Sequence, residues 1–308
     1  MAYDQKDIII PAPLRQGDRI AVVSPAGPVE PYYVMDACKV LEAEGWKPEI
    51  GKHALGRWGN YAGTPDERYS DLRNAILDPD VKAVLCSRGG YGVVHIMERL
   101  AQLDLRNNPK WMIGFSDISA IHALMATHGI ASIHASMAKH IAKGPEDPDN
   151  ATLFSILRGK TEPVSFPSHI LDRPGTAQGR LLGGNLAVLA DLINTPFDII
   201  RPDTVLFIED VAEPIYKIER ILYQMRIAGI LPRLAGLIVG QFTEYKADNS
   251  YNSMERMISD MVQPYNFPVA FNVPVGHVEP NIPMLESARV TLKVTTTDSN
   301  HLIYWSWT

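Results

Sequence analysis

The sequence contains little cysteine, no excess of basic residues and no long apolar run. Its only cysteines are Cys38 and Cys86 among 308 residues, which excludes a disulfide-stabilised fold and a cysteine-based metal site. The formal charge is −6 and the pI is near 5.8, so a nucleic-acid partner is not expected. No apolar run approaches the roughly 18 residues of a membrane-spanning helix, so contact with a membrane is not expected either.

Targeting and metal-binding motifs are also missing. The N-terminal stretch MAYDQKDIIIPAPLRQGDRI has acidic residues near its start and no long apolar core, so we expect no secretory signal. Together with the cysteine usage, this predicts a cytoplasmic protein. The nine histidines show no His-Glu-x-x-His pattern, and we expect neither a metal nor another cofactor.

The first half of the chain alternates between two kinds of segment. Short apolar runs, typical of buried strands, precede segments with helical periodicity. The strand-like runs are Arg19–Ser24, Val81–Cys86 and Trp111–Phe115. This alternation predicts an α/β domain with a parallel sheet, and such sheets bind ligands at the loops that follow their strands.

The amino-acid composition changes beyond residue 144, where prolines and glycines accumulate and the apolar residues show little periodicity. We therefore predict an N-terminal domain at 1–160, a linker at 161–180 and a C-terminal domain at 181–308. Strand-like and helix-like segments alternate again in the last part, which predicts a smaller α/β domain.

Two loops after predicted strands have unusual compositions. One carries Ser116 and Asp117 at the junction between a strand and a helix. A serine there would expose its hydroxyl, and backbone N–H groups at the helix start could face an oxyanion, although a plain helix cap is the alternative. The other loop, Ser87–Gly92, is rich in glycine and suits a phosphate cradle, an oxyanion hole or a tight turn.

A nucleophilic serine requires a base. His134 and His277 both follow apolar runs, and His277 lies in a loop beyond the run Pro268–Val275. Glu209 ends the strand-like run Thr204–Ile208, where a carboxylate could orient an imidazole or cap the next helix. Spacing alone does not choose among these alternatives.

An ordered set of motifs nevertheless resembles one family, the LD-carboxypeptidases. This serine peptidase family includes murein tetrapeptide carboxypeptidase and the microcin C self-immunity peptidases. The resemblance extends from about Leu14 to Ala288. The shared motifs are Gly17-Asp18, Val23–Gly27, Tyr61–Thr64, Glu67-Arg68, Asp71-Leu72, Asp78–Ala83, Arg88–Gly92, Gly114–Asp117, Gly183–Leu186, Ile208–Asp210 and Gly276-His277.

The resemblance implies a Rossmann-like N-terminal domain, a smaller α/β C-terminal domain and an active site in the cleft between them. It makes Ser116 the nucleophile, His277 the general base and Glu209 the carboxylate that orients the base. The backbone N–H groups of Gly90 and Asp117 would form the oxyanion hole. A Cβ at position 90 would then obstruct the substrate carbonyl.

The implied reaction is hydrolysis of the amide between an L-centre, such as diaminopimelate, and a terminal D-alanine of a murein tetrapeptide. The implied assembly is a homodimer. Arg88 is our candidate for binding the terminal carboxylate, with a structural ion pair as its alternative.

Departures from the family pattern leave substrate preference open. Val278 follows the base where glycine is common, and Met284-Leu285-Glu286 replaces the expected Leu-Gly. One alternative is cleavage of aminoacyl or peptidyl nucleotides, for which Trp58 and Tyr61 could stack on a purine. The alternative from another class is a non-catalytic protein that binds a small ligand.

Overall fold

The computed structural model describes residues 8–305, which form two compact units. Among the described residues, the first unit comprises 8–161 with Ile282–Leu285, and the second comprises Glu162–Asn281 with 286–305. Residues 1–7 and 306–308 lie outside the described residues, and they include the start of the stretch predicted to lack a secretory signal.

The first unit contains a six-stranded sheet. Its spatial order is β11-β5-β4-β3-β1-β2, and the pairs β1–β2, β1–β3, β3–β4 and β4–β5 are all parallel. The predicted parallel α/β domain is therefore confirmed. The strands are β1 (Arg19–Val23), β2 (Lys47–Ile50), β3 (Val81–Cys86), β4 (Trp111–Gly114), β5 (Ser132–His134) and β11 (Met284–Glu286).

Helices alternate with these strands along the chain. They are α1 (Pro31–Ala43), α2 (Pro65–Leu77), α3 (Met97–Leu100), α4 (Ser119–Thr127), α5 (Ala138–Ile141) and α6 (Pro148–Leu157), with short 3₁₀ turns at Val93–His95 and Ser116–Ile118.

The order β2-β1-β3-β4-β5 is that of a doubly wound sheet whose topology reverses between β1 and β3. The connection that leaves β1 leads to β2 on one side of this point, and the connection that leaves β3 leads to β4 on the other. The loops after β1 and β3 begin at this point, which is the usual ligand-binding position in such sheets. The Ser87–Gly92 loop follows β3, and Ser116 follows the adjacent strand β4.

The second unit contains a seven-stranded mixed sheet in the order β10-β9-β8-β7-β12-β13-β6. The first four strands of this order are parallel, whereas β7, β12, β13 and β6 pair antiparallel. The strands are β6 (Val164–Phe166), β7 (Gly175–Asn185), β8 (Thr204–Val211), β9 (Gly236–Thr243), β10 (Val269–Ala270), β12 (Arg289–Val294) and β13 (Asn300–Tyr304). The helices are α7 (Leu186–Asp191), α8 (Ile215–Ile227) and α9 (Met254–Val262), with a 3₁₀ turn at Leu231–Arg233.

The segment predicted as a linker, 161–180, contains β6 and the first part of β7. These strands pair with β13 and β12, so the segment is part of the second sheet. These strands were not predicted because proline and glycine, which are rare in strands, are frequent in the segment. In addition, β6 is only three residues long and β7 begins at Gly175.

Two simpler expectations concern the cysteines and the membrane. Cys38 and Cys86 are both free and buried, as small core residues. Within residues 8–305, no helix has the length and apolar character needed to cross a bilayer.

Candidate active site

Ser116 lies two residues beyond the end of β4 and has an unusual backbone conformation. Its φ is +68°, in the left-handed region that a residue with a Cβ enters at a cost of about 1–2 kcal/mol. It begins the 3₁₀ turn that leads into α4, and its side chain is half-buried. A strained serine at a strand-to-helix junction has the geometry of a nucleophile elbow, which presents the hydroxyl above the sheet.

The glycine loop packs directly against this serine. A Cβ added at Gly89 would lie 2.6 Å from Ser116 Cβ and 2.8 Å from its Oγ. The carbonyl of Gly89 also accepts a 2.9 Å hydrogen bond from the N–H of Gly27, in the loop after β1. Position 89 must therefore be glycine because the loop and the serine approach so closely.

Gly90 has a backbone conformation that favours glycine. Its φ is +107°, and an added Cβ would lie 3.3 Å from Gly27 Cα. The left-handed backbone is thus the main constraint at this position. Within residues 8–305, no backbone carbonyl accepts a hydrogen bond from the N–H of Gly90.

Gly89→Ala tests the contact between the loop and the serine. The new methyl group would displace either the loop or Ser116, and a misplacement of about 1 Å can cost about 100-fold in rate. We expect kcat to fall by about that factor, measured in an assay of the hydrolysis that the family resemblance implies.

The matched control is Gly17→Ala, since Gly17 also has a positive φ, +86°, but no atom lies within 4 Å of its added Cβ. This variant should lose stability only and keep its kcat. Full activity in Gly89→Ala would contradict the close packing.

The Asp117 side chain connects the serine turn to the glycine loop. Its Oδ2 accepts a 2.9 Å hydrogen bond from the N–H of Val93. Burial raises the pKa of Asp117 to about 6, although the N–H groups of Val93 and Gly92 and the positive charge of Arg68 oppose the shift. The carboxylate therefore holds the end of the loop next to the elbow.

Arg88 lies in the same loop with an exposed side chain. Its Nη1 donates a 2.7 Å hydrogen bond to the carbonyl of Pro28. This bond does not use the N–H donors on the other two nitrogens of the guanidinium. The partner seen here is thus a carbonyl on the neighbouring loop and not a carboxylate.

Glu209 and His277 form a hydrogen-bonded pair in the second unit. Glu209 is fully buried in β8, and its Oε2 accepts a 2.8 Å hydrogen bond from Nδ1 of the half-buried His277. Burial alone would lower the pKa of His277. The bond to Glu209 and the charges of Glu209, Asp210 and Glu244 outweigh it, and the pKa is raised above 6.5.

Gly276 allows this pair to form. Its φ is +122°, and an added Cβ would lie 2.7 Å from Glu209 Cβ and 2.8 Å from Oε2. Its N–H donates a 2.9 Å hydrogen bond to the side chain of Asn281, which holds the loop around His277 in place. The glycine therefore brings the histidine loop against the carboxylate.

The structure thus groups the predicted residues in two sets. Arg88, Gly90, Ser116 and Asp117 belong to the first unit, whereas Glu209 and His277 belong to the second.

The other histidine considered, His134, is fully buried in β5. Across residues 8–305, no group of three or more histidine, cysteine, aspartate or glutamate side chains could hold a metal ion.

Arg68 donates a hydrogen bond to the carbonyl of Gly92 at the end of the glycine loop, and it was not among the predicted site residues. It lies on α2, whose buried positions include Arg68 and Asp71 on the same stripe as Leu72, Ala75 and Ile76. A charged residue on an otherwise apolar helical stripe is the signal that could have identified it, because buried charges require dedicated partners.

Known proteins match both units of the chain. The family model of the LD-carboxypeptidase N-terminal domain matches residues 20–135, and that of the C-terminal domain matches residues 178–292. The "Probable murein peptide carboxypeptidase" of Bacillus subtilis strain 168 is 32% identical over 291 residues, 92% of this chain and 91% of that protein. The murein tetrapeptide carboxypeptidase of Pseudomonas aeruginosa is 30% identical over 270 residues, 84% of this chain and 88% of that protein.

Solved structures share the fold. Muramoyltetrapeptide carboxypeptidase from Oxalobacter formigenes has a TM-score of 0.83 and 26% identity, with coverage of 93% of this chain and 98% of that one. The microcin C7 self-immunity protein in complex with aspartyl sulfamoyl adenosine has a TM-score of 0.85 and coverage of 97% and 100%, and at 20% identity this likeness concerns the fold alone. Since the relatives match along nearly its whole length, the chain belongs to the LD-carboxypeptidase family and is a carboxypeptidase.

Proposed function

We propose that this protein is a serine-type LD-carboxypeptidase that removes the terminal D-alanine from murein tetrapeptides through an acyl-enzyme. The left-handed backbone of Ser116 at the strand-to-helix junction is the observation that carries this proposal. Strain of this kind persists only where the surrounding structure enforces it, and it concentrates at functional sites. The relatives named for murein peptides support the choice of substrate.

In the proposed acylation step, Ser116 Oγ attacks the carbonyl carbon of the amide that precedes D-alanine. Nε2 of His277 takes the serine proton, because Nδ1 is already bonded to Glu209. The N–H groups of Gly90 and Asp117 donate to the oxyanion of the tetrahedral intermediate. The C–N bond then breaks, and His277 gives the proton to the amine of D-alanine.

In the proposed deacylation step, water attacks the ester carbonyl and passes a proton to His277. The ester bond breaks, Ser116 regains its proton, and the shortened peptide leaves as a carboxylate. Glu209 stabilises the imidazolium in both steps and holds the ring in one orientation.

Arg88 is assigned to the terminal carboxylate of the substrate. A guanidinium carries five N–H donors, and the hydrogen bond to Pro28 uses only one nitrogen of Arg88. The bond to Pro28 fixes the position of the side chain, and a planar fork suits a carboxylate that it binds through two hydrogen bonds.

The test compares two substrates with the full chain. One is a murein tetrapeptide with diaminopimelate at the third position, and the other is an aminoacyl sulfamoyl adenylate. Release of D-alanine from the tetrapeptide is expected. Cleavage of the adenylate alone would instead assign the activity of an immunity peptidase. If neither is cleaved and a fluorophosphonate does not label Ser116, both substrates and the assignment of Ser116 as the nucleophile are wrong.

Assembly and location complete the proposal. We propose a homodimer, as the resemblance implies. We also propose that it acts on murein peptides in the cytoplasm, as the cysteine usage predicts, with recycling of murein fragments as its role. Light scattering coupled to size-exclusion chromatography tests the dimer, because it gives the mass in solution. A mass of one chain, 34.2 kDa, would contradict it.

A further inference from the structure

Arg68 places a cation among backbone carbonyls beneath the loops that follow β1 and β3. The side chain is only 2% exposed. Its Nε donates to the carbonyl of Gly63 at 3.0 Å, and Nη1 donates to the carbonyls of Pro25 at 2.6 Å and Gly92 at 2.7 Å. Nη2 lies 3.1 Å from Nδ1 of His95, and the guanidinium carbon lies 5.2 Å from the centre of the Tyr61 ring.

One of these bonds and a hydrogen bond to Asp117 meet on a single peptide group. The carbonyl of Gly92 and the N–H of Val93 belong to the same planar peptide bond. Arg68 donates to its oxygen, and Asp117 accepts from its nitrogen. The orientation of this peptide plane is therefore fixed at both ends by charged side chains.

This peptide plane lies two residues beyond Gly90. Gly92 has a φ of +126°, and an added Cβ there would lie 2.9 Å from Nη1 of Arg68, so the arginine packs directly on the glycine. The bond from Arg68 to Pro25 ties the same guanidinium to the loop after β1, where Gly27 donates to the carbonyl of Gly89. Both sides of the Gly89–Gly90 turn are thus connected to one buried cation.

We infer that Arg68 is a positioning residue that orients the backbone N–H of Gly90 toward the oxyanion. This inference rests on the proposed function, because it needs an oxyanion at that place. A lysine would not replace the arginine fully. Its ammonium is a compact point charge, whereas the planar guanidinium reaches separate acceptors in fixed directions.

The experiment compares Arg68→Met and Arg68→Lys with the wild type in hydrolysis of murein tetrapeptide. We expect kcat to fall about 10- to 100-fold in Arg68→Met and by less in Arg68→Lys, with KM within about threefold of wild type. Binding of a tetrahedral phosphonate analogue of the substrate should weaken by the same factor as kcat/KM. Binding of the tripeptide product should not change.

Lys110→Met is the matched control. Lys110 is equally buried, and its ammonium donates to the carbonyls of Asp78 and Val81, but it precedes β4 whereas Ser116 follows that strand. The control should lose thermal stability as Arg68→Met does and retain wild-type kcat.

Several outcomes would overturn the inference. Wild-type kcat in a folded Arg68→Met variant would do so, as would an equal loss of kcat in Lys110→Met. Failure of both Arg68 variants to fold, judged by circular dichroism, would assign the arginine to folding instead.

A second readout separates this inference from the proposed function. If the wild type releases no D-alanine, the proposed substrate is wrong. Labelling of Ser116 by a fluorophosphonate still tests Arg68 in that case, since the phosphonylation transition state also develops an oxyanion. An unchanged labelling rate in Arg68→Met would then count against the inference.

Discussion

Ser116→Ala is expected to reduce kcat for murein tetrapeptide hydrolysis by about 10⁴- to 10⁶-fold, as loss of a catalytic serine does in other hydrolases. Without Oγ no acyl-enzyme can form, and the remaining rate would come from polarisation of the carbonyl by the N–H groups of Gly90 and Asp117. Substrate binding should persist, because alanine leaves the backbone unchanged. The measurement is D-alanine release over hours, together with calorimetric titration of the tetrapeptide.

Ser70→Ala provides the control for loss of a hydroxyl. Ser70 Oγ donates a 3.0 Å hydrogen bond to the carbonyl of Glu67 within α2, and its side chain is half-buried. This variant should keep full activity. Retention of more than about one hundredth of the wild-type rate in Ser116→Ala would contradict a nucleophilic role.

The stability of a third variant reports on backbone strain. Glycine adopts φ near +68° without penalty, whereas serine and alanine do not. Ser116→Gly should therefore be more stable than Ser116→Ala by about 1 kcal/mol in urea unfolding, although both are inactive. This difference would show that the protein tolerates strain at the nucleophile.

The sequence predicted the buried strands better than the helices around the site. The predicted strand Val81–Cys86 coincides with β3, and the predicted strand Arg19–Ser24 ends one residue beyond β1. A short, continuous run of apolar and β-branched residues is typical of a strand that is buried on both faces, and other elements cover both strands. By contrast, α2 was not predicted, because Arg68 and Asp71 interrupt the apolar stripe of its buried face.

For the candidate site, residue types were predictable but conformations were not. A serine after an apolar strand and glycines in the neighbouring loop were visible in the sequence. The positive φ of Ser116 was not, because no residue type there demands it and the surrounding packing enforces it. The family resemblance selected Glu209 and His277, and the 2.8 Å bond between them depends on a close approach at Gly276 that no spacing rule gives.

Glu209→Gln is expected to lower kcat by about 10²- to 10⁴-fold while leaving the fold intact. An amide can donate a hydrogen bond to Nδ1 of His277, which places the ring proton on Nε2. That tautomer cannot accept the proton of Ser116. The amide is also neutral, so the imidazolium formed during acylation loses its counter-charge.

The pH dependence gives a second signature of the same pair. The base must be neutral, so kcat/KM of the wild type should rise with pH through the pKa of His277, which Glu209 helps to raise above 6.5. Glu209→Gln removes the negative charge of that carboxylate and the hydrogen bond that it accepts from His277, both of which raise the pKa of His277. The burial of the ring, which lowers this pKa, remains. The midpoint of the residual activity should therefore move to lower pH.

Asp210→Asn distinguishes the effect of negative charge near His277 from the effect of the hydrogen bond by which Glu209 orients the ring. Asp210 adjoins Glu209, and its charge also raises the pKa of His277, but its own hydrogen bonds run to Asn185, Ala187 and Val211. We expect a smaller shift of the midpoint in the same direction, with plateau kcat within about threefold of wild type. If the two variants lost kcat equally, the negative charge near the ring would matter more than the bond to Nδ1. If Glu209→Gln kept the wild-type midpoint, a group other than His277 would control the rise of kcat/KM with pH.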